Sequence, residues 1–195
     1  MKVPLVLIIV LGGASAFLLP CSVRSNGAVR YTYLKSKSEW ARDDGVHVRP
    51  GKTDDETAIR TTLAKMLMNP LSIDVQNFVC AEDEGKLIGF GQVRPIGEDY
   101  ELASLHVQES SRGRGIGSAL VRQLLADFEV THGSEKLGRL FLLTLADTAY
   151  FYEKLGFEVV SAKEVPAVLN AERAVGSFIQ SFFGNALVCM RATPC

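Results

Sequence analysis

Hydrophobic and polar residues alternate at strand period over Val46–Arg49, and Pro50-Gly51 turns the chain. A helical period follows. Ile59, Leu63, Met66 and Leu67 predict a helix over Asp55–Met68, with Asp54 as N-cap and Asn69-Pro70 as its stop. Phe78–Ala81 and Leu87–Val93 read as strands joined at Asp83-Glu84-Gly85. Pro95–Asp99 reads as a turn and Glu101–Val107 as a further strand. Leu120, Leu124 and Phe128 recur every four residues and predict a strong helix over Ile116–Val130. Arg139–Leu145 is a strand, Thr148–Leu155 a short helix closed by Gly156, and Phe157–Val160 a strand. Val165–Phe182 is apolar at helical intervals, and Ala186–Met190 is a last strand. The order β-α-β-β-β-α-β-α-β-α-β predicts an α/β (α+β) fold around a largely antiparallel sheet. No internal repeat or low-complexity tract interrupts it.

Before Val46 the pattern changes. Val3–Leu11 is an unbroken apolar run behind Lys2, and Gly12–Ala16 supplies small residues. Ala14-x-Ala16 fits signal-peptidase cleavage and predicts a signal peptide over 1–16. The competing expectation is a retained anchor, because Val3–Val23 carries no charge and is long enough to span a bilayer. Residues 17–45 read as a transit-like leader and linker, with Arg24, Ser25, Arg30, Lys35, Ser36, Lys37 and Ser38 in a stretch poor in acids. Ala14-Ser15-Ala16-Phe17 resembles the bipartite leaders of algae with secondary, red-derived plastids. That resemblance implies a plastid destination and no stable membrane association after cleavage; plain secretion or an endomembrane location is the alternative. The domain expected to carry the chemistry is 46–195.

Charge supports this division. The whole chain has a formal net charge of −1. Residues 1–38 hold five of the 21 basic residues and none of the 22 acidic ones, so the body is acidic. An acidic body argues against nucleic acid as a partner. Cys21, Cys80, Cys189 and Cys195 show no metal-ligand spacing. Cys80 and Cys189 lie in apolar runs, where a free thiol behaves as a small hydrophobe.

The candidate chemistry centres on Arg112-Gly113-Arg114-Gly115-Ile116-Gly117-Ser118, between a strand and an amphipathic helix. Glycines there let the backbone approach a ligand closely. Successive N–H groups and the helix N-terminus suit an anion, with Arg112 and Arg114 adding charge. A P-loop would need Lys after the glycines, and a dinucleotide fingerprint starting at Gly113 would need Gly where Ser118 stands. The plain alternative is a tight turn without a ligand.

Forty residues beyond Arg112 stands Tyr152, within Phe151-Tyr152-Glu153-Lys154-Leu155-Gly156-Phe157. With Arg112-x-x-Gly115-x-Gly117 in this order, the chain resembles the GNAT acetyltransferase superfamily over about Val46 to Arg191. The resemblance implies a mixed, mostly antiparallel sheet flanked by helices, with two strands splayed to form an acyl-CoA cleft. It implies acetyl-CoA as cosubstrate, with the backbone of Leu105, His106 and Val107 pairing with its pantetheine arm. The amides of Arg112, Gly113, Arg114, Gly115, Ile116, Gly117 and Ser118 would hold its diphosphate, and an acceptor amine would attack the thioester directly.

By the same resemblance Tyr152 aligns with the general acid, against a bland reading as a packed phenol. Glu101, eleven residues before Arg112, aligns with a strand glutamate that serves as general base. The alternative for Glu101 is an exposed strand residue opposite a basic neighbour. His106 is the other base candidate, since its ordinary pKa suits proton relay. The family's cofactor-contacting Asn is replaced by Leu145, leaving Thr144 or Asp147 as substitutes. The segment from Met68 through Phe78, with Gly91-Gln92 and Glu101–Ser104, resembles uncharacterised cyanobacterial and plastid members. Leu142–Phe157 is more faintly similar to acetylglutamate synthases. Neither resemblance selects among protein lysines, protein N-termini and small amines. A non-catalytic acyl-CoA binder and a membrane-tethered interaction protein are the competing function classes.

Overall fold

The computed structural model describes residues 22–25, 28–31, 40–41, 44–66, 73–170 and 186–193. The chain divides into two units, Met1–Leu34 and Lys35–Cys195. In the first, β1 (Ser22–Ser25) and β2 (Ala28–Tyr31) pair as an antiparallel hairpin. The expected signal peptide lies outside the described residues, as does most of the 17–45 leader. Of the helix expected over Val165–Phe182, residues 167–170 are helical and the remainder lies outside them. No helix among the described residues is long and apolar enough to cross a membrane.

The second unit carries β3 (Trp40–Ala41), β4 (Val46–Pro50), α1 (Glu56–Lys65), β5 (Phe78–Asp83), β6 (Lys86–Ile96) and β7 (Asp99–Val107). It continues through α2 (Ile116–His132), β8 (Leu140–Leu145), α3 (Ala149–Glu153), β9 (Phe157–Val159) and β10 (Leu187–Ala192). Eight strands form one sheet in the order β3-β4-β5-β6-β7-β8-β10-β9. Every neighbouring pair is antiparallel except β7 with β8.

Period-two alternation sends successive strand residues to opposite faces. One face meets α2: Val46, Val48, Val79, Ala81, Leu102, Leu120, Val121, Leu124 and Phe128 share one buried cluster. The other face carries two smaller clusters. One holds Ile59 and Leu63 of α1 against Phe78, Cys80 and Phe90; the other holds Ile96, Phe141, Val160, Val165, Leu169 and Cys189. Cys80 and Cys189 are buried thiols outside any disulfide, and burial pushes the Cys80 thiol up to about 12.

Two local expectations are corrected. The N-cap of α1 is Asp55, not Asp54, and its carboxylate is turned away from the helix. It accepts the Lys52 N–H at 2.8 Å and takes two bonds from Arg49, so the residue pins α1 to β4. Pro95 is strand, not turn: β6 runs on to Ile96 and Pro95 pairs with Tyr100. The partner β5 ends its pairing at Gln92, so beyond it β6 has an open edge, where a residue without an N–H is tolerated.

The β6–β7 ladder contains the feature that shapes the site. Phe90 pairs with His106 and Gln92 with Ala103, so Ser104 and Leu105 stand opposite Gly91 alone. Ser104 absorbs this bulge with a φ of 58°, and its Oγ accepts a hydrogen bond from Gln92 Nε2 at 3.1 Å. Close approach is also required at Gly89, where a Cβ would lie 2.9 Å from the His106 carbonyl oxygen and 3.3 Å from Leu120 Cδ1. Gly89→Ala is therefore expected to lower unfolding free energy by about 1–3 kcal/mol, through overpacking against backbone. Urea denaturation checks this as a reduced midpoint with unchanged slope.

Candidate active site

β7 and β8 pair at only two positions, Tyr100 with Leu140 and Glu101 with Phe141, and then separate. β7 continues six residues further, to Val107, and β8 continues to Leu145. The bulge at Ser104 adds to the divergence by bending the strand. From Ala103 onward β7 is only partly buried, so the fork opens to solvent between two strand edges. Backbone groups on such an edge require partners from water or a ligand.

The glycine turn stands at the far end of β7. Gly113 and Gly115 adopt φ values of 80° and 75°, a conformation costly for any other residue. Gly115 is the N-cap of α2 and no side chain caps the helix. The first intrahelical bond runs from the Ala119 N–H to the Gly115 carbonyl, leaving the Ile116, Gly117 and Ser118 amides directed out of the helix end. These amides and the positive end of a 17-residue helix suit an anionic group.

The two arginines of the turn behave differently. Arg112 is exposed, its Nε donating to the Val107 carbonyl at 3.3 Å, so it stays beside the turn and the end of β7. Arg114 departs from the expectation of a second anion-binding charge. Its guanidinium binds Asp83 at 2.8 Å and Asp44 at 3.4 Å, tying the turn to β5. What Arg114 offers an anion is its backbone amide.

Tyr152 is 8% exposed and comes close to this assembly through Phe151. A Cβ on Gly117 would meet Phe151 Cζ at 3.5 Å and Val107 Cγ2 at 3.8 Å, and the Phe151 and Tyr152 ring centroids are 4.8 Å apart. Phe157 meets Tyr152 edge-on at 6.0 Å. Among the described residues the phenol has no hydrogen-bond partner, and burial pushes its pKa up to about 12.

Glu101 sits at the crotch of the fork, 5% exposed. Its Oε2 accepts from Arg94 Nε at 2.8 Å and lies 2.6 Å from Arg94 Nη2, so its charge is met across the strand pair. Leu102 faces α2, which places Glu101 on the opposite face with Arg94, Gln92 and His106. This forms a polar strip across a buried sheet face. Two of its atoms are buried without a partner, Gln92 Oε1 and His106 Nδ1. Burial, and then the nearby Arg112 charge, hold the His106 pKa below its ordinary 6.5.

The structure thus brings together Leu105, His106, Val107, the 112–118 turn and Tyr152, with Glu101 at the base of the cleft. Arg94, Gln92, Ser104 and Phe151 are participants that the sequence reading assigned no role. Arg94 was reachable from hairpin register; the bulge at Ser104 left no sequence signal. Of the substitutes for the missing Asn, Thr144 lies on β8 and Asp147 follows it, accepting from the Thr148 hydroxyl at 3.1 Å.

This geometry is that of an acyl-CoA transferase fold. Residues 74–159 match the acetyltransferase (GNAT) domain. That segment holds the fork and the glycine turn, and its match to the GNAT domain supports an acyl-CoA-dependent N-acetyltransferase. Among solved structures, the Mycobacterium tuberculosis protein Rv2747, in complex with CoA, aligns at 26% identity and a TM-score of 0.55, over 75% of this chain and 99% of that one. N-acetylglutamate synthase from Neisseria gonorrhoeae, complexed with coenzyme A and L-arginine, shares the fold at 20% identity and a TM-score of 0.55, over 77% of this chain. This chain spans only 34% of that synthase. The ribosomal-protein-S18-alanine N-acetyltransferase from Escherichia coli shares the fold at 15% identity and a TM-score of 0.50, over 76% of this chain and 94% of that one. No curated protein sequence matches the chain.

The depressed His106 pKa has a consequence for stability. The unfolded chain takes up a proton on this residue near ~6.5 while the native state resists it. Stability is therefore fully present above that pH and is lost as pH falls below it. His132, also depressed by burial, adds in the same direction. Denaturation midpoints across mildly acidic pH check this, and His106→Gln is expected to flatten the slope partially, since His132 remains.

Proposed function

We propose that this protein transfers an acetyl group from acetyl-CoA to an amine by direct attack within a ternary complex. The observation that carries this reading is the fork between β7 and β8 opening beside the uncapped N-terminus of α2. Acetyl-CoA supplies the activated acyl carbonyl that an amine can attack. The amides of residues 112–118, with the exposed guanidinium of Arg112, fit its diphosphate. The open edge at Leu105–Val107 fits the amide groups of its pantetheine arm.

Magnitudes assign the proton roles. An alkyl amine has a pKa near ~10 and arrives mostly protonated. Glu101 and His106 face the same strip, but the Glu101 carboxylate is engaged by Arg94. His106 carries an unpartnered ring nitrogen and is neutral at physiological pH, which favours it as proton acceptor. Glu101 then acts with Arg94 to fix the crotch of the fork. Tyr152, at about 12, stays protonated. Handing its proton fully to a thiolate of ordinary pKa, near ~8.5, is uphill by about 5 kcal/mol. The phenol therefore serves as a hydrogen-bond donor to the departing sulfur. Gln92 Oε1 offers the incoming amine a buried acceptor. The acidic body and this strip favour amino-group acceptors, among them protein lysines, protein N-termini and small amines. The acid-free, basic leader supports delivery of the 46–195 domain to a plastid.

Purified enzyme, acetyl-CoA and a panel of amines, read by mass spectrometry, test the activity. Tyr152→Phe is expected to lower kcat about 10²–10³-fold, the scale of losing one hydrogen-bond donor to developing charge, with little change in CoA affinity. The pH profile of kcat/KM should rise through an inflection below ~6.5 that His106→Gln removes and Glu101→Gln retains. CoA binding without acetyl transfer on any amine, and no loss on Tyr152→Phe, would favour a non-catalytic acyl-CoA binder. Loss of the inflection in Glu101→Gln alone would return the base role to Glu101.

A further inference from the structure

The outer side of α3 carries a pair of side chains that the acetyl-transfer chemistry does not use. Ala149 and Tyr152 are buried and Phe151 is half-buried, so the helix turns these residues inward. Tyr150 is 65% exposed, and Lys154 Nζ stands 4.1 Å from the centroid of its ring. We propose that Tyr150 and Lys154 bind the adenosine end of the coenzyme, the ring stacking on its purine and the ammonium meeting its 3′-phosphate. This inference rests on the acyl-CoA reading and adds to it the residues that tell CoA from its 3′-dephospho form.

Packing puts α3 within reach of that end. The Phe151 ring, 3.5 Å from where a Cβ on Gly117 would lie, sets α3 against the first turn of α2. Tyr150 is the next residue, one Cα step of about 3.8 Å away. A coenzyme whose diphosphate sits on the 112–118 amides leaves its adenosine one ribose from that helix end. On the β5 side of the turn, Arg114 is already bound by Asp83 and Asp44. On the other side, toward which the fork opens, α3 follows β8. The first side presents carboxylates that oppose a phosphate, and the second presents a cation.

Lys154 is open to such a group. Among the described residues its ammonium has no carboxylate partner, and its contact is the Tyr150 ring. An ammonium over a ring keeps its charge and its N–H donors, which a phosphate oxygen can take over from water. Arg112 also lacks a carboxylate, but its bond to the Val107 carbonyl keeps it beside the turn, where it fits the diphosphate. Glu153, the one acid of α3, is exposed, so recognition lies in the ring and ammonium held together and not in a net charge of the helix. Among the described residues no other aromatic ring packs on Tyr150, which leaves the ring face away from Lys154 for a flat heterocycle.

Titration calorimetry of the full chain with CoA and with 3′-dephospho-CoA tests the assignment, because the two probes share diphosphate and pantetheine. The native chain is expected to bind CoA about tenfold more tightly, the low end for a hydrogen bond to a charged group because the ammonium is exposed. Lys154→Met should remove that preference and leave the affinity for 3′-dephospho-CoA unchanged. Tyr150→Leu should weaken both compounds alike by about fivefold, the low end for base–aromatic stacking, while Tyr150→Phe keeps the native affinities. Both positions are exposed, so unchanged thermal midpoints are expected for these variants. Arg112→Gln supplies the contrast: it should weaken both compounds and keep the preference. Equal binding of the two probes by the native chain, or a preference that survives Lys154→Met, overturns the phosphate contact. Undiminished binding in Tyr150→Leu overturns the purine contact. Binding of neither probe overturns the acyl-CoA reading itself.

Discussion

The site depends on a ladder that stops. β7 and β8 are parallel neighbours for two residue pairs and then part, although each continues as strand. Parallel pairing requires even, slanted hydrogen bonds between strands in register. The bulge at Ser104 removes that register on β7, and β10 holds β8 on its other side from Phe141 to Leu145. The backbone groups that would have closed the sheet are left facing a gap. An extended ligand bearing amides can complete them as a strand would. The glycine turn gains its function from this position, because the same β7 that forms one wall of the gap delivers the chain to the N-terminus of α2.

Much of this was legible in the sequence, for specific reasons. Helix α2 followed from Leu120, Leu124 and Phe128 at constant spacing, and the turn before it from glycines whose positive φ values no other residue adopts cheaply. The succession of strands along the chain followed from alternation and turn residues, whereas the insertion of β10 between β8 and β9 is a fact of tertiary pairing. Pro95 misled because a proline normally ends a strand; its tolerance depends on β5 having already stopped at Gln92, a fact of tertiary pairing. Asp54 was read as a cap because local rules see only neighbours in sequence. The carboxylate that matters is Asp55, drawn off by Arg49 on β4. Ser104 in a left-handed conformation carries no local signal at all.

Arg114 illustrates the difference between residue type and residue role. Its sequence position suggests a charge for an anion, yet Asp83 and Asp44 compensate it. Glu101 presents the same problem with opposite sign: a carboxylate at the expected height on the expected strand, paired with Arg94. In both cases the side chain that looked chemical fixes geometry. The groups left without partners, Gln92 Oε1 and His106 Nδ1, are neutral and less conspicuous in a sequence.

Those neutral groups bear on the choice between a transferase and a binder of acyl-CoA. A binder needs the fork, the turn and the helix end. It has no use for an unsatisfied polar strip on the opposite sheet face, where each unpaired atom costs about 1–3 kcal/mol that an apolar side chain would avoid. Phe90 and Phe141 show that the same face accepts large apolar residues on either side of the strip. Polarity confined to the residues nearest the crotch of the fork is what an incoming amine requires, since it brings N–H donors and must give up a proton there. In the proposed transfer reaction, Gln92 Oε1 and His106 Nδ1 are the groups that an incoming amine would meet at the fork.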